Sequence, residues 1–550
     1  MEKRKELANL IFPDIDKTIE DYKNMYPERN IDGSVTRFAP SPTGYMHLGG
    51  FYQAIIDYVI SKNTNGVFYL RNEDTDQKRE VEQAVELIMS TLNHYGIVPD
   101  EYEYEGKIVG NYGPYIQSER KEIYHAFIKY LIEIDRAYPC FCSKEDLDEI
   151  RETQEAGKKR TGYYGRYAKC RRLDIDEMIN KVKNGESYVI RFKSLGNFEQ
   201  KFNFDDLVRG IIQLPENDQD IVIMKSDNKL PTYHFAHVVD DYLMHTTHVV
   251  RGEEWLPSVP IHIELFNAFG FDAPKYVHTP LIVKKEGNSV RKISKRKDPE
   301  ASMSYYEELG YPKEAVIESL MTIINSNYEE WHTANPDKSF DEFEFNPKKM
   351  SASGGALYDI EKLNNISKNI ISKYTATYVF DELNEWSKKY DLEFNELINK
   401  YKDYTINILN IERVQTKPRK DYENFSSIKS KIWYMYDELY NEVEYEFQKI
   451  SDKNDLKEIF DTYLEIYDES DDKDTWFNKI KQLCDKLGYA SDMKEYKQNP
   501  DNFKGNVADV STAIRVGVTS KSMTPDLYEI LRLLGKDRIL KRIEMYEANK

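Results

Sequence analysis

Val35-Thr-Arg37-Phe-Ala39-Pro-Ser41-Pro-Thr-Gly-Tyr-Met-His47-Leu-Gly49-Gly50 is the stretch on which the fold turns. A short β-type run at 35–38 enters a turn punctuated by proline and glycine at 39–44. Residues 48–62 follow with helical spacing, placing Phe51, Ile55, Tyr58 and Val59 on one face. Residues 63–66 end that helix, and 67–70 reads as a second strand. Strand, turn, helix and strand in this order form the βαβ unit of a nucleotide-binding sheet. The glycines let backbone approach a ligand closely, and the new helix offers free N–H groups and a positive dipole end to phosphate. His47, at the helix start, can donate to a phosphate oxygen. A single turn of this kind is most often only a turn, so the reading needs a second element.

The second element is Arg291-Lys292-Ile-Ser-Lys295-Arg296-Lys297, placed on a loop after an expected strand at 275–283. Clustered cations on a short loop can neutralise charge that builds on a triphosphate as pyrophosphate leaves. Alone it reads as a solvated basic patch. Between the two elements the alternation returns, with a helix at 233–243, a strand at 247–251 and a helix at 258–269. Residues 356–487 contain no glycine and one proline, Pro418, so they should be nearly all helix. Helical spacing recurs at 527–546.

Composition bounds the rest. At 550 residues the chain exceeds one hydrophobic core, and a charged fraction of 31% suits a soluble globular protein. No apolar run approaches the roughly 20 residues needed to span a bilayer, and the first 21 residues lack a secretory signal pattern. Four cysteines do not make a disulfide framework. A cytoplasmic protein is expected. The net charge of −19 argues against nucleic acid taken alone, yet 284–297 holds seven Lys or Arg, and 158–172 is a second basic cluster.

Together, in this order, the two elements resemble the HIGH and KMSKS motifs of class I aminoacyl-tRNA synthetases. The wording Phe-Ala-Pro-Ser-Pro-Thr-Gly is similar to the bacterial glutamyl branch. Further matches are Leu70-Arg-Asn-Glu73-Asp-Thr-Asp76, Asp206-Leu-Val-Arg-Gly210, Pro231-Thr-Tyr233-His-Phe-Ala236, Val238-Val-Asp-Asp241 and Arg251-Gly-Glu-Glu254-Trp255. The resemblance is strong over 35–304 and sharpens again near 512–519.

The resemblance implies an α/β fold: a split doubly wound, Rossmann-type parallel sheet with an α/β insertion, followed by an all-helical C-terminal anticodon-binding region. The expected divisions are a helical extension at 1–30, catalytic halves at 31–118 and 228–300, an acceptor-end-binding insertion at 119–227, a stem-contact domain at 301–370 and a helical anticodon-binding region at 371–550. It implies ATP-dependent activation of L-glutamate to glutamyl-adenylate and transfer to the 3′ end of tRNA(Glu), with Mg2+ accompanying ATP. Charging of tRNA(Gln) is left open, and a monomer is expected. By resemblance Arg37, Ala39, Ser41, Glu73, Tyr233, His237 and Arg251 would line the glutamate pocket. His47, Gly49, Glu254 and Lys295 would serve ATP, with His47, Lys292 and Lys295 catalytic. The chemistry agrees, because glutamate carries an ammonium for Glu73 and two carboxylates for the Arg37 and Arg251 forks.

Three positions depart from the widest pattern. Gly50 stands for the second histidine of HIGH and Arg296 for the last serine of KMSKS, both usual in this branch. His237 stands where many members have asparagine, and is expected to donate to substrate with an affinity that titrates near neutrality. No metal ligand is assigned. Some relatives hold zinc in the insertion, which leaves Cys140, Cys142 and Cys170 with Tyr167 as an alternative to inert thiols.

Overall fold

The computed structural model describes residues 2–42, 44–76, 81, 83–351, 354–441 and 443–548. Thr43 of the opening turn and the terminal residues Met1, Asn549 and Lys550 lie outside the described residues. The chain divides into two compact units, one of residues 1–305 with 317–359, the other of 306–316 with 360–550. The expected 301–370 segment is thus split between them.

The first unit is built on a six-stranded sheet: β1 (Val35–Phe38), β2 (Val67–Leu70), β3 (Lys201–Asp206), β4 (Gly210–Pro215), β5 (His248–Gly252) and β6 (Lys275–Thr279). Their order is β2-β1-β5-β6-β3-β4, parallel throughout except for β4, which returns antiparallel on β3. The two catalytic halves meet where β1 lies beside β5, with Thr36 opposite His248. The ends of these strands, Arg37–Phe38 and Val250–Arg251, line a cavity. Open α/β sheets place ligands at the carboxyl ends of strands where the strand order reverses.

Two strand expectations need correction. Residues 275–283 do not form one strand. Pro280 has no N–H to donate, and after it Ile282–Glu286 joins a separate sheet with Ser289–Lys292 and Ala356–Leu357. Arg291 and Lys292 therefore stand on a hairpin strand, and only the residues after them form the loop. The insertion, for its part, lends its hairpin β3–β4 to the main sheet. Phe204 packs there with Val249, Val259 and Tyr276, because β3 and β4 alternate apolar and polar side chains, with Phe202, Ile212 and Leu214 on the same cluster. What remains of the insertion has its own antiparallel sheet of Ala137–Cys140, Val189–Phe192 and Val222–Met224.

The second unit is a stack of helices from Ile360–Lys373 to Leu527–Ala548 around one core. Side chains of Thr375, Asp391, Asn424, Asp452, Asp472 and Asn506 accept the first free N–H groups of their helices. Gly535, at φ 74°, breaks the last helix into two. Among the described residues no helix is long and apolar enough to cross a membrane.

The first 30 residues are more than an appendage. Helices Glu2–Ile11 and Ile19–Met25 bury Leu7, Ala8 and Tyr22, and Phe12 just after the first helix joins them, in the core that also holds Tyr124, Phe127 and Leu131. Arg29 then grips Glu101 with both arms at 2.8 Å and stacks on Tyr112 at 3.8 Å. Phe12→Ala should therefore cost about 3–5 kcal/mol, read as a lower denaturation midpoint of the first unit. An unchanged midpoint would mean that the extension lies outside the cooperative core.

Candidate active site

Two adjoining cavities open at the ends of β1 and β5. The larger, of about 590 Å³, is lined by Arg37, Ala39, Ser41, Glu73, Tyr233 and Arg251, and by His47 and Lys295. The smaller, of about 140 Å³, is lined by Gly49, Glu254 and Lys292, with His47, Gly50 and Gln53 common to both. Of the residues singled out from the sequence, the glutamate candidates other than His237 line the larger space, Gly49, Glu254 and Lys292 the smaller, His47 both, and Lys295 only the larger.

His47 is the N-cap of the helix Leu48–Asn63, and its Nδ1 accepts from the Gly49 N–H at 2.9 Å. Nε2 therefore carries the proton and is the donor left over. Burial, with Lys295 and Lys292 nearby, holds its pKa down to about 4, so the ring is neutral at pH 7. Lys295 Nζ donates to the Tyr45 carbonyl at 2.6 Å, which ties the basic loop to the opening turn. The loop is further fixed by Asp298, whose carboxylate takes both arms of Arg291 at 2.7 and 2.8 Å and the Ser294 N–H at 2.8 Å.

Behind the larger cavity lies a buried ionic cluster. Asp241 accepts from Arg71 at 2.6 Å and lies 3.4 Å from Arg37 Nε. Burial raises its pKa, but Arg71 and Arg37 outweigh this and hold it well below the usual carboxylate range. Arg71 also donates to Glu73 at 3.0 Å. Burial leaves the Glu73 carboxyl above its ordinary value despite Arg71 and Arg37. Asp57, also lining the cavity, is pushed well up by burial against the pull of Arg37. Arg71 and Asp57 had no role in the sequence reading. The signal for Arg71 was available, since a charged run directly after an apolar strand marks a buried strand end.

His237 needs correction. Its ring is fully buried and does not line the cavity. It stacks behind Tyr233 at 5.8 Å, with Nδ1 2.7 Å from Asp241 and Nε2 3.0 Å from the Tyr276 hydroxyl. Burial lowers its pKa to about 4 even though Asp241 pulls the other way. In the structure it faces Asp241 and Tyr276 rather than the cavity, and burial keeps it neutral near pH 7.

Elsewhere in this unit, the sulfurs of Cys140, Cys142 and Cys170 lie within 4.8 Å of one another. The oxygen beside them is Tyr163, whose hydroxyl is 3.4 Å from Cys140 Sγ and 3.2 Å from Cys142 Sγ. Tyr167 instead accepts from Arg166. Three of the seven cations in the basic cluster 158–172 are ion-paired, Arg160 with Asp218, Lys169 with Glu149 and Arg171 with Asp220. In the second unit, a cavity of about 650 Å³ is lined by Trp476, Phe477 and Tyr528 together with Arg419, Lys473 and Arg515.

A split parallel sheet with a nucleotide-type helix start and a basic hairpin loop defines a class I synthetase catalytic domain. The chain belongs to the family described as tRNA synthetases class I (E and Q), whose catalytic domain it matches over residues 34–391. An anticodon binding domain follows over 393–546. The glutamate–tRNA ligase of Acetivibrio thermocellus is 48% identical over 543 residues, covering 98% of this chain and 99% of that one. That of Sorangium cellulosum is 38% identical over 557 residues, covering 96% and 97%. The crystal structure of a glutamate tRNA ligase from Elizabethkingia meningosepticum, in complex with its amino acid, superposes with a TM-score of 0.74 at 27% identity, covering 94% of this chain and 99% of that one.

The buried neutral histidine has a pH consequence. His237 has a folded pKa of about 4, whereas an unfolded histidine titrates near 6.5. Between those values the unfolded chain binds the extra proton, so stability is lost as pH falls from about 6.5 towards 4. His237→Asn should flatten that loss by up to roughly 3 kcal/mol, at about 1.4 kcal/mol per pKa unit. The check is the denaturation midpoint against pH for both proteins; parallel curves would refute the assignment.

Proposed function

We propose that this chain activates L-glutamate with ATP to glutamyl-adenylate and transfers the glutamyl group to the 3′ end of tRNA(Glu). Near-complete coverage of relatives named glutamate–tRNA ligase carries the proposal. The larger cavity supports it, because Arg37, Arg251 and Glu73, all lining it, match the charges of glutamate. The substrate carboxylate attacks the α-phosphate, so the enzyme needs no side-chain nucleophile and supplies position and charge. In this reading Arg37 and Arg251 take carboxylates, and Glu73 takes the ammonium. His47 donates Nε2–H to phosphate. Lys292 and Lys295 meet the charge that grows as pyrophosphate leaves, while Glu254 and Gly49 hold the nucleotide.

The aromatic lining of the second unit's cavity suits unstacked bases, which stack on Trp476, Phe477 or Tyr528 while Arg515 faces phosphate or base edges; Arg419 and Lys473, on the same lining, are paired with Glu412 and Asp526. The test of the whole reading is glutamate-dependent exchange of pyrophosphate into ATP, with and without tRNA. Lys295→Ala should lower kcat by about 10²–10³ with a smaller change in glutamate KM. A mutant within a few-fold of the parent would make the loop a solvated basic patch.

Three thiols at this spacing suit zinc, which takes four ligands and favours sulfur. Cys140, Cys142 and Cys170 would hold it, with the Tyr163 hydroxyl beside them, as a structural brace for the insertion. Metal analysis of the purified protein should find about one zinc per chain, lost in Cys142→Ser. A metal-free protein that melts at the same temperature with and without chelator would leave the thiols inert.

A further inference from the structure

Arg251 is held unlike the other buried arginines around the site. Arg37 and Arg71 lean on Asp241, Arg71 also on Glu73, and Arg120 on Asp240 at 2.7 Å. Among the described residues no carboxylate pairs with Arg251. Its Nε instead donates to His278 Nε2 at 3.0 Å, and its Nη1 lies 3.1 Å from His262 Nδ1. Nη2 is buried without a partner, and the guanidinium lies over the Tyr276 ring at 4.7 Å.

A guanidinium has no lone pair, so both histidine nitrogens must accept. That fixes each ring's tautomer. His278 carries its proton on Nδ1 and donates it to Asp206 at 2.6 Å. His262 carries its proton on Nε2 and donates it to His234 Nδ1 at 2.9 Å. Asp206 is itself fixed at the end of β3, accepting from the backbone N–H groups of Val208 and Arg209 at 3.0 Å each. Burial keeps His278 below the usual histidine range, and burial with His237 and Arg251 keeps His262 well below it. Both rings are therefore neutral acceptors, buried and locked.

The electrostatic result differs from that of a salt bridge. A carboxylate partner would satisfy the same N–H groups but cancel the positive charge. Two imidazoles satisfy them and hold the nearest carboxylate, Asp206, one ring further off, so less of the charge is cancelled beside a cavity Arg251 lines. We infer that His262 and His278, the latter backed by Asp206, are positioning residues that present Arg251 to a substrate carboxylate as an aligned cation with no carboxylate paired to it directly, and so set the preference for glutamate over glutamine. This rests on the reading that the larger cavity takes glutamate.

The experiment is kinetic, using the full chain with ATP and tRNA. Shape-keeping variants that lack an acceptor, His262→Phe and His278→Phe, should raise the glutamate KM about tenfold, the usual consequence of losing a hydrogen bond to a charged group. Their kcat and ATP KM should stay within about threefold, a split that general loosening of the fold would not give. His278→Gln, whose amide oxygen can accept at the position of Nε2, should recover most of the loss. His262→Glu should narrow the preference for glutamate over glutamine by about tenfold or more, because it neutralises Arg251 in place. Melting curves identify any variant that fails to fold, and the glutamine and glutamate variants then decide. Phenylalanine variants with the parental glutamate KM, or glutamine no better than phenylalanine, would overturn the inference. Arg251→Gln is the control: if its glutamate KM is also parental, the pocket reading itself fails, whereas a raised value there with parental histidine variants sinks only the cradle.

Discussion

The carboxylate of Asp241, buried with no solvent access, ties together side chains that begin far apart in the chain. It accepts from Arg71 at the end of β2, faces Arg37 at the end of β1, and rises from the helix Tyr233–Leu243 that belongs to the other half of the sheet. An isolated charge in such a place is strongly unfavourable, and a buried pair is tolerable only with good geometry and further hydrogen bonds. The cluster meets that condition only when the two halves of the sheet are docked. Glu73 joins it through Arg71, so one wall of the larger cavity inherits its geometry from this contact.

Arg251, which lines the same cavity, solves the same problem by other means. It is packed among rings rather than carboxylates, with His262, His278, Tyr276 and Tyr233 around it. The contrast gives the cavity two kinds of cation, one shared with an internal anion and one with no carboxylate paired to it directly. Glutamate differs from glutamine by a single negative charge and hardly at all in size, so charge rather than shape must separate them. The ring-held arginine is the feature best suited to do so.

The acidity of the chain and its tRNA-binding family membership are compatible because phosphate contacts are local. Part of the basic cluster at 158–172 is already paired internally, which lowers what it can offer to a polyanion. In the second unit, cations and aromatic rings line the same cavity. That combination suits single-stranded bases better than a broad basic face would.

Residue order by itself determined the βαβ entry at 35–70, the helical second unit and the family. Each depends on short-range signals: alternation, helical spacing, the absence of glycine, and two motifs in a set order. The family resemblance put Arg37, Glu73, Tyr233 and Arg251 among the site candidates, and their place at strand ends and a helix start agrees with where such sheets bind ligands. Only the tertiary structure decided the partners. His237 was read as a substrate contact because it stands where many members of the family have asparagine, and the helix carries it one turn behind Tyr233, onto Asp241 and into a neutral state. Asp206, His262 and His278 come from β3, from a helix after β5 and from β6, and no local pattern connects them. They meet because the insertion returns a hairpin to the main sheet, placing β3 beside β6. Burial and pairing are properties of that assembled sheet, and they set which groups are charged.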